Sequence, residues 1–166
     1  IGAIDDFTNS IKINPNYSKV YWSRGVAYYN QNYAILAIDD FNKSIELNSD
    51  DEIYFYCRAL AKTKIEDYKG AIQDFTKTIT SNLPESFLAE VLMKRGAAKT
   101  QVGDNLGSLN DLNKSIEINP SNAEAYYSRG IAKIILKQNE NGCLDLSKSG
   151  ELGYDAAFET IRQYCK

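Results

Sequence analysis

The sequence predicts an all-α protein made of antiparallel helix pairs, and three observations support this prediction. The segment "AIDDFTNSIKIN" at Ala3 returns as "AIDDFNKSIELN" at Ala37, with eight of its twelve letters unchanged. Looser copies begin at Ala71, Ser108 and Gly142, so the successive offsets are 34, 34, 37 and 34 residues. Apolar and small residues recur in these segments every three or four positions, which is the period of an α-helix. A fixed offset of this size is typical of a helical repeat protein.

A second repeated element lies between these segments. It reads "YWSRGVAYY", "FYCRALAKT", "LMKRGAAKT" and "YYSRGIAKI", beginning at Tyr21, Phe55, Leu92 and Tyr126. Each copy is followed by polar or glycine-containing letters that favour a turn. Every repeat is therefore predicted to consist of a helix A, a short turn and a helix B.

The helix boundaries follow from the periodic segments and the turn residues between them. We predict helices at 2–13, 18–31, 34–47, 51–65, 68–80, 86–101, 105–118, 123–136, 140–150 and 154–165. The first is a helix B without its A partner, and the last is a capping helix of the kind that terminal repeats need. Three additional residues near Leu83–Phe87 predict a longer helix or turn at that junction.

The pattern resembles the tetratricopeptide repeat, whose letters recur over 34 residues. In the second repeat the matching residues are Tyr21, Gly25, Tyr28, Ala37 and Phe41. The resemblance implies a right-handed superhelical α-solenoid, and the C-terminal segment is similar to the ends of some bacterial members. We expect a single domain over 1–166, divided into a half repeat at 1–17, repeats at 18–51, 52–88, 89–122 and 123–153, and a cap at 154–166.

The chain departs from the family pattern by placing Arg where a buried Leu is usual. Each helix B also carries Asp before its large apolar residue. Residues that face each other in a helical hairpin have a nearly constant index sum, so each Arg should reach the Asp of its own repeat and that of the preceding one. We predict a structural ladder of ion pairs, since a buried charge needs a partner. Its members are Arg24, Asp40, Arg58, Asp74, Arg95, Asp111, Arg129 and Asp145.

Composition argues against several function classes. The net charge is −3 and histidine is absent, so neither a nucleic-acid footprint nor the commonest general base is present. No apolar run is long enough to span a membrane. Asp39–Asp40 and Asp50–Asp51 are read as structural rather than metal-binding, and Asp51 as a helix N-cap. We therefore expect no enzyme activity, cofactor or metal, while the compartment stays open between cytoplasm and periplasm.

In the family that the pattern resembles, ligands contact the A helices along a concave groove. The resemblance places Trp22, Val26, Tyr29, Tyr56, Leu60, Met93, Tyr127 and Ile131 in this groove, together with Lys19, Ser23, Asn30, Ile53, Cys57, Thr63, Lys64, Glu90, Lys94, Ala97, Thr100, Gln101, Glu124, Ser128, Ile134 and Ile135. The carboxylate clamp that captures acidic C-termini in some members is missing, because its positions hold aromatic and aliphatic residues.

Two functions remain open. The first is a protein-interaction scaffold that binds a peptide or partner helix along an aromatic row of Trp22, Tyr56, Met93 and Tyr127. The second is an architectural or self-associating segment of a longer solenoid with no groove ligand. Exposure of the three rings in this row favours the first, and their coverage by the chain's own repeats favours the second.

Both ends of the chain carry a further expectation. The first helix should pack through Ile4, Phe7 and Ile11 and expose Ala3 or Ile1, which suggests that further repeats precede it or that it self-associates. At the other end, the hairpin argument brings Cys143 and Cys165 close together. They are either a disulfide or two small core residues in contact.

Overall fold

A computed structural model describes residues 2–79 and 82–165, and these residues form ten α-helices and no strand. In chain order the helices are α1 (Gly2–Ile13), α2 (Ser18–Asn30), α3 (Ala34–Leu47), α4 (Glu52–Lys64), α5 (Tyr68–Thr78), α6 (Glu85–Gln101), α7 (Asn105–Ile118), α8 (Ala123–Ile135), α9 (Asn139–Glu151) and α10 (Ala156–Tyr164). The all-α prediction is confirmed. The helix ends that the structure describes lie within two residues of the predicted ends. Residue 80, the predicted end of the fifth helix, lies outside the described part, and so does Ile1, which was expected to be exposed.

The chain forms two compact units, Ile1–Thr80 with α1–α5 and Ser81–Lys166 with α6–α10. Within each unit every helix packs against the next one along the chain. The A helices are α2, α4, α6 and α8, and they also contact each other in pairs, α2 with α4 and α6 with α8. The single domain and the repeat boundaries stay predictions.

Large and small side chains alternate at equivalent positions of the repeats to build the core. The residues Phe41, Phe75, Leu112 and Leu146 follow the repeated Asp and are fully buried. Opposite Phe41 the A helix carries Gly25, where an added Cβ would stand 2.7 Å from the Phe41 ring. The close approach of α2 and α3 therefore requires glycine at this position.

The additional residues near Leu83 lengthen a helix rather than a turn. The Ser115 hydroxyl donates to the Ala89 carbonyl over 2.7 Å, and the Ser149 hydroxyl donates to the Ala123 carbonyl over 2.8 Å. Ala123 begins α8, but Ala89 stands one turn inside α6, which has 17 residues against 13 in α8. The insertion thus adds one turn to the N-terminal end of α6.

Each repeated Arg forms a two-pronged contact with the Asp of its own repeat. Arg24 donates through Nε and Nη2 to Asp40 over 2.8 and 2.7 Å. The same two distances recur for the other three pairs, which are Arg58–Asp74, Arg95–Asp111 and Arg129–Asp145. These hydrogen bonds raise the pKa of the Arg24 guanidinium, while its burial acts in the opposite direction. A flat guanidinium fork fits a carboxylate better than an ammonium does.

For Arg24, Arg58 and Arg129 the contact with the preceding repeat is made by a residue other than its Asp, so this part of the prediction is wrong for these three. Nη1 of Arg24 donates to Thr8 over 3.1 Å. Nη1 of Arg58 instead donates to Asn42 over 2.7 Å, and Nη1 of Arg129 donates to Asn113 over 2.9 Å. Both Asn residues stand two positions after the predicted Asp. Two positions along an α-helix differ in direction by about 200° around the helix axis. When the Asn points toward the Arg, the Asp two positions before it therefore points away from the Arg.

A lysine adds a second cation in three of the four repeats. Lys62, Lys99 and Lys133 stand one turn after the Arg and lie 2.8 Å from Asp74, Asp111 and Asp145. In the second repeat Tyr28 takes this place, and its ring lies 5.9 Å from the Arg24 guanidinium. The buried carboxylates of the later repeats are therefore held between two charges.

The turn from helix A to helix B places one residue in the left-handed region of backbone conformation. Asn32, Glu66, Gly103 and Lys137 have φ values of 65°, 62°, 84° and 63°. Each stands midway between the Arg and the Asp of its repeat, so this turn sets the register of the ion pair. Of these four residues, Asn32 and Gly103 tolerate this conformation most readily.

The two ends of the chain differ in how they are held. α1 has no fully buried residue, Ala3 is exposed and Ile13 exposes 86% of its surface. Ile4, Phe7 and Ile11 are half-buried. At the other end Cys143 in α9 and Cys165 after α10 form a disulfide with a Cα–Cα distance of 5.7 Å. The bridge decides between the two alternatives left open for these cysteines.

Candidate ligand-binding groove

In the first unit the A-helix face is formed by α2 and α4. The Trp22 ring is half-buried and lies 6.2 Å from the Tyr54 ring, while its indole N–H donates to the Cys57 sulfur over 3.3 Å. Val26 and Tyr29 are also half-buried and pack against the cluster around Phe41. These side chains are held by contacts with other residues of the first unit, and part of their surface remains accessible to solvent.

Two members of the predicted aromatic row are buried instead of lining a groove. Tyr56 exposes 8% of its surface and its ring lies 5.9 Å from Phe75 of the same repeat. Met93 exposes 3% and packs in a core cluster with Leu112 and Ile116. The B helix of their own repeat covers both side chains, contrary to the exposure that a groove lining would have, and their contact with a ligand stays a prediction.

The second unit forms the same face from α6 and α8. Tyr127 is half-buried, its ring lies 4.9 Å from Tyr154, and its hydroxyl is 3.2 Å from that of Thr160 in α10. Ile131 on α8 is half-buried as well, and so is Leu60 on α4 of the first unit. The capping helix therefore supports one edge of this face.

Each unit has a cavity on its A-helix face. In the first unit a cavity of about 270 Å³ is lined by Lys19, Trp22, Asp51, Ile53 and Tyr54. In the second, a cavity of about 70 Å³ is lined by Ala97, Thr100, Gln101, Tyr127, Ser128 and Ile131. The second cavity has the size of one small side chain, and it is lined only by positions that the resemblance places in the groove.

Sequence reasoning missed Asp51 and Tyr54 as lining residues. Asp51 was identified as the N-cap of α4, and its carboxylate does accept from the Ile53 N–H. Tyr54 belongs to the buried side of α4, yet its edge reaches the cavity and its hydroxyl lies 3.4 Å from Ser18. No letter pattern marks a residue that contributes both to the core and to a cavity rim.

Several charged side chains lie on these faces. Lys94 and Glu124, both on the A-helix face of the second unit, pair over 2.9 Å and neutralise one another. Burial raises the pKa of Tyr154, and Glu124 and Tyr127 add to this effect. Lys19 is exposed at the rim of the first cavity.

Asp39, Asp40 and Cys57 differ in their surroundings. Asp39 is exposed on α3 whereas its neighbour Asp40 is buried in the ion pair with Arg24. Burial raises the pKa of the Cys57 thiol, which outweighs the opposite effect of the Trp22 N–H. Within 2–79 and 82–165 no three His, Cys, Asp or Glu side chains are grouped to hold a metal ion. The helices of these same residues include none with the length and apolarity required to cross a membrane.

Comparison with known proteins agrees with the repeat pattern. The family model described as "Tetratricopeptide repeat" matches residues 18–51, which is the second repeat as predicted. No curated protein sequence matches the chain. The prediction of tetratricopeptide repeats is confirmed: residues 18–51 are one such repeat, and the fold is that of a tetratricopeptide-repeat array.

Several solved structures share this fold at low sequence identity. YrrB, described as a TPR protein with an unusual peptide-binding site, superposes with a TM-score of 0.84 at 18% identity, covering 96% of this chain and 81% of that one. MamA 41-end from Desulfovibrio magneticus RS-1 gives 0.83 at 16% identity, with 90% and 82% covered. The first TPR of Spaghetti (RPAP3), bound to the HSP90 peptide SRMEEVD, gives 0.67 at 21% identity, with 73% and 94% covered.

Proposed function

We propose that this protein is an interaction scaffold that binds a peptide or a partner helix along the A-helix faces. The observation that carries the proposal is the cavity between α6 and α8, which is lined only by A-helix positions of the repeat pattern. A cavity that accepts one side chain, flanked by the half-buried Tyr127 and Ile131, is the arrangement by which extended peptides are anchored. Two of the similar folds have peptide binding in their descriptions, which supports the same class of ligand.

The proposed ligand face has fewer exposed anchor residues than the sequence predicted. With Tyr56 and Met93 buried, the anchors available are Trp22 in the first unit and Tyr127 in the second. Both rings are already fixed by contacts with their own chain, so little side-chain entropy is lost when a ligand packs on them. Acidic C-terminal carboxylates are disfavoured, because the clamp positions hold apolar residues.

The proposal is tested by blocking the cavity. A library of random peptides displayed on phage is selected on the wild-type protein, and the recovered peptides are measured against Ser128→Arg and Asn110→Arg. Ser128 lines the cavity, whereas Asn110 is exposed on α7 outside it, so both variants gain the same side chain in different places. We expect Ser128→Arg to weaken binding at least about tenfold and Asn110→Arg to leave it unchanged. Equal binding to both variants would rule out this cavity as the ligand site.

A second candidate function is architectural. The burial of Tyr56 and Met93 by their own repeats is the observation that favours a segment which only spaces or joins other parts. Under this alternative the library yields no peptide whose binding depends on Ser128. Replacement of the anchors Trp22 and Tyr127 by Ala then changes only the stability of the protein.

A further inference from the structure

A second exposed apolar surface lies away from the A-helix faces, at the turn between α2 and α3. Tyr33, Ile35, Leu36 and Ile65 expose 55%, 67%, 46% and 45% of their surface, and we name these four residues the turn patch. Together with Asn32, Ala34 and Lys64 they line a cavity of about 440 Å³. This volume falls within the range of small-ligand sites, and the lining is mainly apolar.

The third and fourth repeats have other residues at this turn and form no such patch. At the position of Tyr33 they have Asp67 and Asp104, whose carboxylates accept from the N–H groups of Gly70 and Gly107 over 3.0 Å. The fifth repeat has Gln138 there, and its helix α9 begins without a side-chain cap, as α3 does. Glycine accompanies this cap, because a Cβ at Gly70 would stand 2.2 Å from the Asp67 carboxylate.

The second repeat replaces this Asp and Gly with Tyr33 and Leu36. Its helix α3 consequently begins without a side-chain cap. A side-chain cap stabilises the start of a helix, and large apolar side chains are unfavourable in water. The exchange therefore weakens the isolated repeat in two ways, which is expected where the exposed side chains serve an interaction.

Lys64 carries the one charge among the described residues that line this cavity. Its ammonium donates to the Tyr29 carbonyl over 3.2 Å and to the Asn32 side chain over 2.9 Å, and lies 4.0 Å from the Tyr29 ring centre. Among the residues that the structure describes, these partners are all uncharged. The positive charge at the rim is therefore available to complement an acidic group.

We propose that the turn patch binds a short apolar segment of a partner protein that carries a carboxylate beside its apolar side chains. The apolar side chains fill the cavity between Leu36 and Ile65, and the carboxylate lies against Lys64. A second copy of the chain suits the patch less well. Stable dimers bury about 1,200–2,000 Å² in total, whereas a patch of four side chains offers roughly a few hundred. Lys64 is also one of the positions that the resemblance places in the groove, but none of the four residues of the turn patch is. The apolar part of this site therefore does not depend on the function proposed above.

The test supplies the cap that the third and fourth repeats have. The variant Tyr33→Asp/Leu36→Gly removes half of the patch and supplies the Asp and Gly found at 67 and 70. A phage library of random heptapeptides is selected on the wild-type protein after depletion on this variant. We expect peptides with two or more apolar residues and an Asp or Glu. The most frequent one, synthesised with a fluorophore, should bind the wild type at least about tenfold more tightly than the variant by anisotropy.

The variant is expected to melt within about 4 °C of the wild type, because the new cap offsets the lost packing. Loss of binding then cannot result from unfolding. Should it melt far lower, Ile35→Lys replaces it, since Lys69 occupies that position in the third repeat. Leu106→Lys, which changes an exposed apolar residue outside the patch, and Ser128→Arg should both keep full binding.

Three results would overturn the proposal. The first is binding of the recovered peptides to the double variant within threefold of wild type. The second is recovery of no peptide beyond the depleted background. The third is a wild-type dimer in sedimentation that the double variant abolishes, which would assign the patch to a second copy of the chain.

Discussion

Arg58 and Asp74 meet in a two-pronged contact of 2.8 and 2.7 Å, and Lys62 shares the same carboxylate from 2.8 Å away. Asp74 is 2% exposed, so two cations depend on one buried anion. The arrangement recurs in the two repeats that follow, whereas the second repeat has a single cation on Asp40.

Removal of this carboxylate should strongly destabilise the first unit. We expect Asp74→Ala to lower the free energy of unfolding by about 3–5 kcal/mol, since Arg58 and Lys62 would remain partly buried without a counter-charge. Asp40→Ala should cost less, because only Arg24 loses its partner. Urea denaturation followed by circular dichroism measures both. Asp39→Ala changes an exposed residue next to Asp40 and serves as the control. Its free energy of unfolding should stay within about 0.5 kcal/mol of that of the wild type. A cost for Asp74→Ala as small as that of the control would show that the ladder does not stabilise the fold.

The left-handed turn residues allow a prediction in the opposite direction. Lys137 has a φ of 63°, a conformation that costs a residue with a Cβ about 1 kcal/mol or more. Lys137→Gly should therefore raise the free energy of unfolding by about 0.5–1 kcal/mol, after the greater freedom of glycine in the unfolded chain is subtracted. Thermal or urea unfolding measures the change.

Gly103→Ala is the matched test at the same turn position. An added Cβ there meets no atom within 4 Å, so any loss of stability comes from the backbone conformation alone. We expect it to destabilise by about 1 kcal/mol. If both variants change stability in the same direction, the left-handed conformation is not the cause.

The disulfide should stabilise the C-terminal end. Cys143 and Cys165 enclose a loop with a sequence separation of 22, and such a bridge contributes about 3 kcal/mol by restricting the unfolded chain. We expect Cys143→Ser/Cys165→Ser to lose about this amount and to increase amide hydrogen exchange in α10 before the rest of the second unit. Cys57→Ser, tested under the same conditions, should leave exchange in α10 unchanged. A dithiol reductant should reproduce the double variant with the wild type and have no effect on the double variant itself.

The thiol of Cys57 should react slowly in the folded protein. Burial raises its pKa, so a smaller fraction is thiolate at pH 8 than in an exposed cysteine, and the fraction grows only as the pH rises through the raised pKa. We expect its alkylation by iodoacetamide to be at least roughly tenfold slower than that of the exposed thiol introduced by Asn110→Cys, measured by mass spectrometry on the same molecule. In urea the two rates should become similar. Equal rates in the native state would mean that Cys57 is neither buried nor protonated as described.

Local chemistry was sufficient to predict most of the fold. The 3.6-residue period, the turn residues and the 34-residue offset predicted ten helices with ends within two residues of those described, because each depends only on nearby residues in the chain. Hairpin geometry across a short turn also predicted the contacts of Arg24 with Asp40 and of Cys143 with Cys165. In these cases the turn is the only element that separates the two partners.

Only the tertiary structure determined which side chains on a helix face are covered by neighbouring helices. Tyr56 and Trp22 occupy equivalent positions, yet one is covered by Phe75 and the other keeps part of its ring exposed. The index sum that succeeded within a repeat failed by two residues between repeats, where Arg58 meets Asn42 instead of Asp40. Helical period determines the direction of a side chain, whereas burial depends on the distance and rotation of the neighbouring helices, which packing of the whole unit sets.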